Sequence, residues 1–106
     1  MTEKRKYERF SLTLPTRMEI IISGKKQMFK FQTRDISSAG AFILTTEPFS
    51  DGTRFKLEFT LTINWNKETT GALSLIKCEG NVVRSTPEGV AIQFDRDCQI
   101  VKLSGL

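Results

Sequence analysis

Histidine is absent from all 106 residues. That omission removes the commonest general base, the usual activator of a serine or cysteine nucleophile, and the commonest protein ligand for transition metals. Cysteine is scarce: Cys78 and Cys98 are the only two, and they form no CxxC pair. Two cysteines so spaced suit reduced, partly buried thiols better than a disulfide framework. No pair of carboxylates stands apart from ordinary surface charge, and Ser37 and Ser38 have no base near them in sequence to activate a hydroxyl. Neither an enzyme nor a metal or cofactor carrier is expected.

Long apolar runs are missing too. Nothing approaches the roughly 20 residues that cross a bilayer. The opening MTEKRKYERF has no apolar run behind its basic residues, so no signal peptide is expected and a cytoplasmic location is. Nor is there a convincing apolar stripe at helical period, internal repeat, linker or low-complexity tract. What remains is an ordinary globular balance, 39% hydrophobic and 26% charged, in a chain sized for one domain.

Within that balance the dominant pattern has period two. In FKLEFTLTI, residues 55–63, Phe55, Leu57, Phe59, Leu61 and Ile63 alternate with Lys56, Glu58, Thr60 and Thr62, which is a strand with one wet face. Similar runs occur at 17–22, 28–36, 41–45, 72–80, 81–86 and 89–95, with clusters of Gly, Pro, Asn, Asp and Ser that suit turns at 23–26, 37–40, 47–53, 64–71 and 86–89. Antiparallel strands with one polar face must bury the other, and about six of them do so by closing into a small barrel, which also removes exposed edges. The expected fold is therefore all-β: a six-stranded antiparallel barrel over 13–95, a flexible arm over 1–12, and a tail over 96–106 open to a short helix or a frayed end. A sandwich is the second choice.

Charge is unevenly spread along this plan. Residues 1–34 hold nine basic and three acidic side chains, net +6, whereas residues 35–106 hold seven and nine, net −2. The positive field therefore comes from the front of the chain. Arg5 and Arg9 in KRKYERF stand four apart, with Lys4 and Lys6 beside them. Arginine suits an anion clamp, because its planar fork grips phosphate or a guanine edge with two hydrogen bonds and its flat face stacks on a base. Further on, DISSAG places Asp35, Ser37 and Gly40 between two strand runs. The plain reading is a turn, with glycine supplying a positive φ. The functional one is a guanine edge met by a carboxylate and a hydroxyl, with no Cβ at Gly40 to keep backbone or ligand away.

Together, Arg5-Lys-Tyr-Glu-Arg9 and Asp35-Ile-Ser37-Ser-Ala-Gly40 resemble the RxxxR and DxSxxG motifs of the PilZ domains, bacterial receptors for cyclic di-GMP. The resemblance runs from Lys4 to Asp95. Where many members carry a further arginine before RxxxR, this chain has Lys4. The resemblance implies a six-stranded barrel that binds cyclic di-GMP through Arg5, Arg9, Asp35, Ser37 and Gly40, with Lys4 and Lys6 adding charge. It implies further that the bound state is relayed to a partner protein.

Two other readings compete. One is a PilZ-like interaction module that binds no nucleotide. The other is a small basic barrel for single-stranded nucleic acid, favoured by the cationic front and by rings that could stack on bases. It is the weaker, because Phe55 and Phe59 alternate with leucines as core residues and Trp65 stands alone in a loop.

Overall fold

A computed structural model describes residues 11–22, 25–63, 72–96 and 98–103. Seven strands run in chain order: β1 (Pro15–Ile22), β2 (Lys25–Ile36), β3 (Gly40–Leu44), β4 (Arg54–Ile63), β5 (Ala72–Thr86), β6 (Gly89–Phe94) and β7 (Gln99–Leu103). All described neighbours pair antiparallel. Passing around the sheet, β1 meets β2, then β3, β6, β5 and β4, and β4 returns to β1. This closes the expected six-stranded barrel.

Alternation decides what lies inside. Phe55, Leu57 and Phe59 from β4 are buried with Met18 of β1, Ile43 of β3, Val82 of β5 and Val90 of β6. Aromatic rings fill one part of the core, where Phe29 stacks on Phe31 at 5.6 Å and Phe49 meets Phe55 edge-on at 5.0 Å. Edge-to-face contacts of this kind add about 0.5–1.5 kcal/mol beyond burial.

Three expectations need correction. The runs at 72–80 and 81–86 form one strand, because Gly80 and Asn81 sit mid-strand in β5, where β6 begins to pair. The tail forms neither a helix nor a frayed end over 99–103 but the strand β7, which pairs with Leu73–Lys77 of β5. It lies on the same edge of β5 as β6 and continues its line. The third correction follows from the second. Pairing Lys77 with Gln99 places Cys78 opposite Cys98, and the two form a disulfide with Cα atoms 4.7 Å apart instead of remaining thiols. Without β7, nothing in the sequence brings those two residues together.

A charged clamp reinforces the same seam. Arg54, at the start of β4, donates two hydrogen bonds to Asp95, just past β6, at 2.9 and 2.5 Å. Those hydrogen bonds hold the Asp95 carboxyl below its ordinary pKa. The pair is solvent-exposed, so its share of stability is small.

The bridge closes a loop whose ends are 20 residues apart. Its loss should therefore cost about 3 kcal/mol by the chain-entropy argument. Urea denaturation of the oxidised protein against protein held in dithiothreitol, with Cys98→Ser as a second route, should show that difference as a lower midpoint. Coincident curves would mean that the bridge contributes nothing.

Candidate functional site

The corner between β2 and β3 is built around Thr33. This residue is fully buried, and its backbone N–H donates to Leu14 O at 3.1 Å. Its hydroxyl accepts from Leu14 N at 2.9 Å and donates to Leu12 O at 2.5 Å. Thr33 thus fixes the segment leading into β1 against β2. The next residue breaks the register. Thr33 pairs with Ile43, yet Phe42 pairs with Asp35, so Arg34 is the extra residue of a β-bulge.

The bulge decides which way Asp35 points. In an unbroken strand the second residue after a buried one faces the core again. Because Arg34 and Asp35 together oppose the single Phe42, both lie on the outer face with it, and alternation resumes inward at Ile36. Asp35 therefore stands on the outer surface, and Ser37 begins the turn that follows β2.

The turn itself is closed by its own atoms. Ser37 N–H donates to Gly40 O at 2.8 Å, and the Ser37 hydroxyl accepts from Ala39 N at 3.1 Å. Phe94 N–H donates to Ala39 O at 2.8 Å, which ties the corner to the end of β6. Gly40 has no positive φ, contrary to the turn reading. It is needed for a close approach: a Cβ there would lie 2.1 Å from the carbonyl oxygen of Ile92. The approaching group is the backbone of β6.

Arg34 was not among the residues singled out from the sequence. Its guanidinium lies 4.0 Å above the Phe42 ring, donates from Nε to Asp35 Oδ2 at 3.1 Å, and reaches Glu88 Oε1 at 3.7 Å. A bulge leaves no mark in a hydrophobic pattern, so the only available signal was an arginine adjoining DxSxxG. Arg5, Arg9, Lys4 and Lys6 lie outside the described residues.

A cavity of about 620 Å³ opens elsewhere, over the outer faces of β1, β4 and β5. Its charges answer one another across strands, as where Glu58 faces Arg17 and Lys77, each at 4.0 Å. None of the described motif residues lines it.

A barrel with an outward Asp-x-Ser-x-x-Gly corner, beside the strand that follows an Arg-x-x-x-Arg segment, has a counterpart among known families. The PilZ domain family model matches residues 3–103. The chain belongs to the PilZ domain family. PilZ domains form a family of cyclic di-GMP receptors, binding and regulatory modules by nature. Among solved structures, the PilZ chain is similar to the inhibitor of motility MotI/DgrA of Bacillus subtilis, with a TM-score of 0.62 and 18% identity over 91% of this chain. At that identity the likeness is one of fold. The match spans 44% of the length of the Bacillus protein. No curated protein matches the chain.

Thr33→Val should expose the importance of the buried hydroxyl. It leaves the Leu14 N–H without its acceptor, which costs about 1–3 kcal/mol, whereas Thr33→Ser keeps the bonding group and should lose less. Chemical denaturation of the two variants checks this; equal losses would point to the methyl group instead.

Proposed function

We propose that this chain acts as one PilZ domain, a cytoplasmic receptor that binds cyclic di-GMP on the outer face of the β2–β3 corner and relays the bound state to a partner protein. The observation that carries the proposal is the double anchoring at Thr33. Leu12 is fixed to Thr33 by a hydrogen bond, and Asp35 is two residues beyond it. Arg9 lies three residues before Leu12, so its Cα stays within about 11 Å of Leu12 by any chain path. An arginine side chain spans much of that distance. That reach supports a site shared by Arg9 and Asp35.

The division of labour follows from ligand chemistry. Cyclic di-GMP has two phosphates and two guanines, which require positive charge and flat directional groups respectively. Arg5 and Arg9, supported by Lys4 and Lys6, meet phosphate and a guanine edge. Asp35 accepts from guanine N–H donors, and Ser37 and Gly40 hold the corner that presents it. No metal enters this scheme. In the cytoplasm the reducing thiol pool works against the Cys78–Cys98 bridge.

Calorimetric titration with cyclic di-GMP, run against GTP and cyclic di-AMP, tests this directly. Saturable binding selective for cyclic di-GMP is expected, and its absence would leave the interaction-module reading. Arg9→Ala and Asp35→Ala should each lose about 1–3 kcal/mol, ten- to a hundredfold in affinity. Lys56→Ala, on the outer face of β4, should lose little. If Lys56→Ala weakened binding as much as Arg9→Ala, a diffuse basic surface, as for single-stranded nucleic acid, would be the better account.

The relay has its own measurement. Fixing backbone costs about 1–2 kcal/mol per residue, so ligand contacts that hold residues 1–12 should appear as added amide-exchange protection there. An inhibitor of motility that shares this fold fits a regulatory output of that kind. Equal protection with and without cyclic di-GMP would discard the relay and leave binding intact.

A further inference from the structure

We infer that Arg34 is the base-stacking residue of the nucleotide site, a third arginine presented by the barrel itself. The inference rests on the cyclic di-GMP reading above and adds a residue that the two motifs do not contain.

Three layers make the platform. At the bottom is Gly89, where a Cβ would stand 2.8 Å from Phe42 Cε2, so no other residue leaves room for the ring. Above it lies Phe42, only 5% exposed. The Arg34 guanidinium is over the ring at 4.0 Å, with Asp35 and Glu88 holding its nitrogens. The Arg34 side chain nevertheless remains 47% exposed. One side of the guanidinium rests on an aromatic ring, and nearly half of the side chain is open to a ligand.

Charge decides what it is presented to. Asp35 and Glu88 together outweigh the single positive charge of Arg34, so a phosphate placed here would meet two carboxylates. A purine carries no such penalty. Guanidinium planes stack on bases without needing a hydrogen bond from them. The same carboxylate that orients Arg34 belongs to Asp35, whose acceptor capacity suits the N–H edge of guanine. Face and edge of one base are thereby served by neighbouring residues of one bulge. Because Asp35 and the Phe42 ring already orient Arg34, part of the rotamer freedom that an arginine ordinarily loses is spent before binding.

A structural reading would make Arg34 a mere cover for Phe42, and the variants separate the two. Cyclic di-GMP titrations of wild type, Arg34→Lys, Arg34→Met and Arg34→Ala are compared after circular dichroism has confirmed folding. Lysine keeps the charge and methionine keeps the cover, but neither keeps the plane. Both should weaken binding roughly tenfold, and alanine at least as much. The salt dependence of Arg34→Lys, which keeps the charge, should not change, whereas Arg9→Ala should flatten it. Wild-type affinity in Arg34→Lys and Arg34→Met would overturn the inference, as would a flattened salt slope in Arg34→Lys. If Arg34→Ala does not fold, the lysine and methionine variants decide alone. Failure of the wild-type protein to bind cyclic di-GMP would instead defeat the nucleotide reading, and this inference with it.

Discussion

The hydroxyl of Thr33 holds two backbone groups of the segment before β1, accepting from Leu14 and donating to Leu12. Few side chains can do this in a fully buried place. Valine would match the shape and leave a buried N–H without an acceptor, a cost comparable to a large part of a small protein's net stability. Because the bond is made, the approach to β1 is fixed to β2 at the residue where β2 bulges. That junction sets where the described chain enters β1, next to the bulge that turns Asp35 outward and leaves Arg34 exposed.

The rest of the barrel keeps the junction rigid. β5 is long enough to pair with β4 along one edge and with β7 and then β6 along the other. The corner is tied to this frame by Phe94 N–H, which donates to Ala39 O, and by the fit of Gly40 under Ile92 O. An alanine at Gly40 would have to push β3 away from β6. The glycine of the motif is therefore a packing requirement of the barrel, independent of any ligand. Likewise, the Ser37 hydroxyl closes its own turn. Of the three described motif residues, Asp35 is the one whose side chain faces outward with a charge to offer.

What could be read in advance followed the reach of the signals. Period-two alternation located β1, β2, β3, β4 and β6 within a few residues, because each buries one face against a single core. It split β5 into 72–80 and 81–86, because a strand that gains a new partner midway carries no mark of it in its own sequence. It missed β7, whose Ile100 is 67% exposed, so its pattern carries little burial information. The disulfide was lost with β7. Arg34 was invisible for a different reason: a bulge is a mismatch between two strands, and neither strand alone records it. The motif residues were legible because their chemistry is local. Their support was not, because Thr33 and Leu12 are 21 positions apart.

That separation bears on how distant parts of the chain come to stand side by side. Pro15 pairs with Gln32 and Ile22 with Lys25, so β1 and β2 form a hairpin whose register carries on to Leu14 and Thr33. Arg9 and Asp35 are 26 positions apart along the chain, yet nearly all of that interval is spent going up β1 and down β2. Lengthening the hairpin by one residue on each strand would increase the interval and leave the open ends opposite each other. Moving one strand against the other by a single residue would turn every inward side chain outward. The sequence distance between the motifs is therefore free to vary, whereas the register is not. Met18 and Phe29, which pair across this hairpin and pack with the barrel core, hold that register. The core of the barrel thus sets the geometry of the β2–β3 corner on its surface.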